Sequence, residues 1–462
     1  MRDRTDAMLE RLKPSVLPDS ISQRSFAFQE RLAASQWLSR DVLERRQLDQ
    51  LKKLVRFASR EVPFWRDRLP AQKVEDASKL GEALAALPIL SRSALRDNRN
   101  ALRAASLPAG HHAAGERSSS GSTGMMVSVG ITDVVLAVQH GLTLRTHLWA
   151  GRDFARSLAV IRRLKSGEAR APSGHKAPHW GPRAVFPFPT GPSLYLNSHN
   201  TSVDEYWDWL AREQPAYLLT YPSIVRALAE RAAKEKRKPA PLENITTIGE
   251  LVDEELRALA ANHLAPIHDL YSSEEAGLMA LQCPVSASYH VPCESLIVEV
   301  TDGEGRACPA GQTGRVLVTT LMNYATPLLR YDIGDFAQMG EACPCGRGLP
   351  TLSRILGRRR NMLTLSDGRT FWPSFGARFM QKIVPVIEHQ FRQTEPDVIE
   401  TWLVTEGEIS RAQEQELRAI VAASLPAPLE VRIRRVSAIP RPASGKHEEF
   451  VSVIGEPAPR EP

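Results

Sequence analysis

The chain has 462 residues, 59 basic against 53 acidic, with a net charge of +6 and 42% hydrophobic content. That length exceeds what one hydrophobic core organises, so two or three domains are expected, and the mixed charge excludes a basic nucleic-acid-binding block. Charges run through the first fifty positions without an apolar stretch of signal-peptide or spanning length, and five cysteines argue against a disulfide framework. A cytoplasmic protein, monomer or homodimer, is expected, with neither nucleic acid nor membrane as partner.

Apolar residues at three- and four-residue spacing predict amphipathic helices from about Phe26 to Ser59, broken by Pro63 and Pro70. Next comes Ser118-Ser119-Ser120-Gly121-Ser122-Thr123-Gly124. Such a run forms either a flexible linker or a loop gripping phosphate, because glycine lets the backbone approach an anion while hydroxyls and N–H groups donate to it. A helix is predicted over Thr132 to Trp149, with Gly151 placed to end it. Between Ser157 and Pro192 the chain is rich in Pro, Gly, His and Arg, which predicts exposed loops around short strands such as Ala184 to Phe188.

Helices at Val203 to Glu213, Pro222 to Lys236 and Asp253 to His263 alternate with apolar strands at Ala216 to Thr220 and Ile245 to Ile248. Alternation of this kind predicts a parallel sheet covered by helices. After residue 290 the segments Ser295 to Thr301 and Gly314 to Leu321, with turns at Asp302-Gly303 and Gly311, predict an antiparallel, barrel-like part. Beyond a boundary near Leu356, strands at 362–365, 399–404 and 429–436 and helices near 375–383 and at 410–424 predict a small α+β unit. The fold class is α/β, divided as an N-terminal helical segment 1–60, a large domain 61–356 and a small domain 357–462.

The Gly/Ser run is followed at long range by Tyr271-Ser272-Ser273-Glu274-Glu275-Ala276-Gly277, Arg330-Tyr331-Asp332-Ile333-Gly334-Asp335, Gly357-Arg358 and Pro440-Arg441-Pro442-Ala443-Ser444-Gly445-Lys446. In this order the set resembles the acyl-adenylate-forming superfamily. Val62-Pro63-Phe64-Trp65, Leu87-Pro88-Ile89-Leu90 and Cys343-Pro344-Cys345-Gly346-Arg347 look most like its phenylacetate-CoA ligase and coenzyme F390 synthetase branch. The resemblance implies a large adenylate-forming domain and a mobile C-terminal domain. It also implies attack of a carboxylate, aromatic or arylacetic, on the α-phosphorus of ATP, then transfer of the acyl group to coenzyme A. Transfer to an amine, a carrier protein or a phenolic cofactor, or a non-catalytic nucleotide-binding relative, are the alternatives.

By the same resemblance, Ser119, Ser120, Gly121, Ser122, Thr123 and Gly124 hold the phosphates and Glu275 holds Mg²⁺, a task for a hard oxygen ligand, where the alternative is a surface carboxylate. Tyr271, beside Ser272, stacks on adenine, and Asp335 takes the ribose hydroxyls with Arg358 assisting. Gly249 and Glu250 line the nucleotide and acyl site, whose acyl pocket draws on Tyr221 and on Phe188. Lys446, in the small domain, bridges the incoming carboxylate and the α-phosphate, and Arg360 takes the hinge position. Three departures from the pattern stand out: Met125-Met126 where Lys-Pro is usual, Glu274 in place of Thr or Ser, and Asp332 in place of Arg.

Cys283, His290, Cys343 and Cys345 make a Cys₃His set that suits a closed structural zinc site, with Cys293 able to replace one ligand. The other reading is of buried apolar cysteines and a satisfied core histidine.

Overall fold

The computed structural model describes residues 20–118, 127–165, 167–199, 201–358, 363–367, 369–371, 380, 383–425, 427–440 and 448–454. By its internal contacts the chain divides into two units, Met1–Ile355 and Leu356–Pro462.

The N-terminal periodicity folds as α1 (Ser20–Ser35) and α2 (Arg40–Glu61), and Pro63 begins the single-turn α3 (Pro63–Arg66), where its missing N–H costs nothing. Short helices α4 (Ala71–Asp76), α5 (Leu80–Ala86) and α6 (Arg92–Asp97) follow. Helix α2 buries Leu48, Leu51, Leu54 and Val55 in one core with Met279, Val298, Val318 and Tyr331, so these helices cover strands far along the chain. Helix α1 lies against α7 (Asp133–Trp149), and Gly141 permits the approach: a Cβ there would stand 3.0 Å from the Phe28 ring and 3.3 Å from the Ser25 carbonyl. Arg145 of α7 reinforces the contact, donating to the Leu32 carbonyl at 2.7 Å and pairing with Glu294 at 2.8 Å.

A hairpin, β1 (Ala113–Ser118) and β2 (Ser128–Thr132), precedes α7. The main sheet contains β3 (Leu158–Arg162), β4 (His175–Ala177), β5 (Ser193–Asn197), β6 (Tyr217–Thr220), β7 (Asn244–Ile248) and β8 (Ile267–Ser273). It continues with β9 (Gly277–Gln282), β10 (Tyr289–His290), β11 (Leu296–Thr301), β12 (Thr313–Thr320), β13 (Tyr331–Met339) and β14 (Thr351–Arg358). All twelve hydrogen-bond in the order β11-β12-β13-β14-β10-β9-β8-β7-β6-β3-β5-β4. Strands β5, β3, β6, β7 and β8 are parallel, and β9 reverses against β8. The antiparallel β-rich part is therefore continuous with the parallel part.

Helices α8 (Val203–Glu213), α9 (Pro222–Glu235) and α10 (Glu254–His263) lie where the alternating pattern puts them. They share a core with Leu196, Leu218 and Ile245 of the sheet. The predicted strand at 184–188 is instead a turn, and the strands of that region are β3, β4 and β5. Pro182, Pro187 and Pro189 withhold ladder N–H groups there, while Phe186 packs into an aromatic cluster with Phe154, Trp180 and Tyr217. Strand β3 buries Leu158 to Ile161.

The second unit has a short hairpin, β15 (Leu363–Thr364) and β16 (Thr370–Phe371), and a four-stranded sheet. Its strands β17 (Val386–Glu395), β18 (Val398–Thr405), β19 (Glu430–Arg435) and β20 (Phe450–Ser452) lie in the order β19-β18-β17-β20. Helix α11 (Arg411–Ala423), capped by Ser410 and Gln413, inserts Leu417 and Val421 beside Phe391, Ile399 and Leu403. The helix predicted near 375–383 falls mostly outside the described residues. Among the described residues no helix is long and apolar enough to cross a membrane.

Candidate active site

In open parallel sheets ligands gather beyond the carboxyl ends of the strands. Three adjacent strands end on segments singled out from the sequence: β6 on Tyr221, β7 on Gly249-Glu250, and β8, which contains Tyr271 and Ser272, on Glu274-Glu275. Gly249 has φ 79°, a left-handed conformation suited to glycine, and Glu250 accepts a hydrogen bond from the Ser223 backbone N–H at 2.9 Å. The loops after β6 and β7 are thereby tied together.

The Tyr271 hydroxyl donates to Asp335 at 2.7 Å, so the residues expected at adenine and ribose meet. Ser272 is exposed. Glu275 is 6% exposed, which removes the surface-carboxylate alternative. Its Oε1 lies 2.7 Å from Arg92 Nη1 and 3.5 Å from the Tyr331 hydroxyl, which itself accepts from Arg92 at 3.1 Å. Burial and the neighbouring Glu275 charge push the Tyr331 phenol up, so it remains protonated. Asp332 takes no part in this cluster; it accepts from the Gly334 N–H at 3.0 Å and from Arg315 at 3.3 Å.

Two residues given no role from the sequence join this cluster: Arg92, which lies in none of the motifs, and Tyr331, which enters only as part of the Arg330 to Asp335 run. Leu90 forms a bridge to Tyr331, through hydrogen bonds from Leu90 N–H to the Arg330 carbonyl at 3.2 Å and from Asp332 N–H to the Leu90 carbonyl at 2.9 Å. Ser91 then caps α6 by accepting from Ala94 N–H at 3.1 Å, which makes Arg92 the first helical residue. A cation in the first turn opposes the helix dipole, and Glu275, brought there only by folding, offsets it.

Other expected residues are dispersed. The Tyr221 hydroxyl accepts from the Arg163 N–H at 3.2 Å, within the core shared by α8, α9 and α10. Phe188 packs on Phe154, with ring centroids 5.0 Å apart, in a different core. Arg358 ends β14 and belongs to the second unit. Ser119, Ser120, Gly121, Ser122, Thr123, Gly124, Arg360 and Lys446 lie outside the described residues, the first six between β1 and β2.

Cys283, His290, Cys343 and Cys345 converge from the end of β9, from β10 and from the loop between β13 and β14, with their ligand atoms all within 4.8 Å of one another. Cys343 and Cys283 sulfurs are 3.6 Å apart, and Cys345 Sγ is 3.2 Å from His290 Nε2. Hydrogen bonding with Cys345 and His290 holds the Cys283 thiol well below its usual range. His290 is buried with Nδ1 unpartnered among the described residues, so it is not a satisfied core histidine. Cys293 is not in the set; it packs with Leu43, Trp149 and Leu349.

No protein-family model matches this chain. A phenylacetate-coenzyme A ligase of Thermus thermophilus is 27% identical over 372 residues, spanning 76% of this chain and 78% of that protein. The crystal structure of 2-hydroxyisobutyryl-CoA ligase in the postadenylation state, in complex with R3-HIB-AMP, has a TM-score of 0.70 at 18% identity and covers 90% of this chain and 91% of that one. The chain has the acyl-adenylate-forming fold. Anthranilate CoA ligase AuaEII, in complex with anthranoyl-AMP, shares this fold more loosely, with a TM-score of 0.53 at 17% identity, covering 74% of this chain and 67% of that one.

Within the acyl-adenylate-forming fold, the turn carrying Glu275 closes on Gly277, which has φ 77°, and a Cβ there would stand 2.6 Å from Gln139 Nε2. Gly277→Ala is expected to destabilise the protein by about 1–2 kcal/mol, chiefly through backbone strain. Denaturant unfolding measures this; an unchanged midpoint would show that the turn relaxes freely.

Proposed function

We propose that this protein is an ATP- and Mg²⁺-dependent acid–thiol ligase. It converts an aromatic or arylacetic acid to the acyl-adenylate with release of pyrophosphate, then transfers the acyl group to coenzyme A with release of AMP. The observation that carries this reading is the Tyr271–Asp335 hydrogen bond of 2.7 Å, on the same two strands, β8 and β13, that bring buried Glu275 to Tyr331. The likeness to a phenylacetate-coenzyme A ligase supports the substrate class.

In this reading Ser119 to Gly124 hold the phosphates, Tyr271 and Ser272 face adenine, and Asp335 accepts from the ribose hydroxyls with help from Arg358. Gly249 and Glu250 form the wall shared with the acyl group, beside Tyr221 at the end of the neighbouring strand β6. Glu275 fits Mg²⁺, which binds through one or two carboxylates together with substrate phosphates, and the ion supplies neutralisation of phosphate charge. Lys446 orients the carboxylate against the α-phosphate, and turning of the small domain 357–462 relative to the domain 61–356 and its helical segment 1–60 exchanges that lysine for the thiol. A cytoplasmic setting belongs to the same reading, supported by five free cysteines.

Incubation with ATP, Mg²⁺ and a panel of aromatic and arylacetic acids should release pyrophosphate, and mass spectrometry should find the acyl-CoA thioester when coenzyme A is present. Lys446→Ala should lower pyrophosphate release about 10²-fold or more while ATP still binds. An adduct formed equally well without coenzyme A would favour an amine, carrier or phenolic acceptor, and the absence of any acid-dependent turnover would favour a non-catalytic relative.

Zinc at Cys283, His290, Cys343 and Cys345 is the second part of the proposal. Tetrahedral zinc with Zn–S bonds of about 2.3 Å needs ligand atoms roughly 3.5–4 Å apart, which the cluster's span of 4.8 Å or less accommodates. Four protein ligands close the shell, so the metal is structural. Metal analysis should find about one equivalent, and Cys343→Ser should lose it and unfold at lower temperature. Metal-free protein of undiminished stability would refute the site.

A further inference from the structure

Glu275 does not wait for a metal with its carboxylate open. Its Oε1 is already engaged by Arg92 at 2.7 Å, with side chains only 4% and 16% exposed, and the Tyr331 hydroxyl contacts both groups. This is a built contact: Ser91 caps α6, Leu95 anchors it in the core, and Leu90 is bridged to Tyr331. A buried carboxylate must be neutralised, and here the protein supplies the cation itself.

We infer that Arg92 is the resident counter-ion of Glu275 and makes metal loading conditional on the nucleotide. The inference rests on the reading that Glu275 holds Mg²⁺. A divalent ion bound to Oε1 at about 2.0–2.1 Å would stand beside the guanidinium, and one carboxylate cannot neutralise both cations away from water. Arg92 therefore keeps free divalent metal off Glu275. The triphosphate brings enough negative charge to hold the metal and the freed guanidinium together, so metal and nucleotide bind as one event. Arg92 acts here through Glu275, as a positioning residue.

The test is titration of the full chain with Mn²⁺, followed by the electron paramagnetic resonance of the free ion, with and without a non-hydrolysable ATP analogue. The unaltered protein should bind Mn²⁺ at Glu275 only with the analogue. Arg92→Gln should bind Mn²⁺ alone about tenfold or more tightly than the unaltered protein, a gain that Glu275→Gln abolishes. Arg92→Lys, which keeps the charge, should retain the dependence on nucleotide. Tight, nucleotide-independent Mn²⁺ binding by the unaltered protein, or no gain in Arg92→Gln, overturns the inference. Failure of Glu275→Gln to reduce Mn²⁺ binding in the presence of the analogue overturns the assignment of metal to Glu275, and the inference with it.

Discussion

A carboxylate cannot be buried at the reversal between β8 and β9 unless something neutralises it, and the ion pair between Glu275 and Arg92 meets that demand. The pair joins segments 183 residues apart and fixes where α6 lies against the sheet. Tyr331 completes the cluster and carries the register on to Asp335, two positions beyond Ile333 on the same strand. Asp335 in turn holds the Tyr271 hydroxyl, back on β8. Strand β13 is thus cross-linked to β8 and the turn after it by polar side chains, and the apolar core that α2 shares with them lies alongside.

A second set of contacts secures the other end of the antiparallel strands. Gln36, in the turn after α1, accepts from Trp149 Nε1 and Arg347 Nε at 3.0 Å each, and the Arg347 guanidinium lies 4.3 Å over the Trp149 ring. Gly348 comes so close to the Leu38 carbonyl that no side chain fits between them. The N-terminal helices, α7 and the loop that bears Cys343 and Cys345 are thereby packed together. A metal in the Cys₃His set would extend this staple to β9 and β10 with little rearrangement, because the donor atoms are already gathered.

Much of this arrangement was legible in the residues. Val203–Glu213 carries a capping box at Ser202 and Glu205, and its apolar stripe of Tyr206, Trp207 and Leu210 marks a buried face, so local signals and tertiary packing agree. Ala184 to Phe188 misled because aromatic residues favour strands only when their backbone can pair, and Pro187 lies within that segment with Pro182 and Pro189 close on either side. Tyr271, Asp335 and Glu275 were singled out through motif order, and the fold brings Tyr271 to Asp335 and Glu275 to Tyr331. Arg92 was not, because what identifies it is a partner brought close by folding. The same limit explains Tyr221 and Phe188: each sits in apolar sequence near a strand, but which core a ring enters depends on packing across the sheet.

Attack of a carboxylate on the α-phosphorus of ATP leaves its mark in the fate of the carboxylate oxygen. With an acid labelled with ¹⁸O in its carboxyl group, attack places one labelled oxygen in the bridge to phosphorus, and thiol attack on the carbonyl then leaves that oxygen on the nucleotide. AMP recovered from turnover in the presence of coenzyme A should then carry one ¹⁸O atom. Unlabelled AMP, or label found in inorganic phosphate beside ADP, would contradict attack at the α-phosphorus.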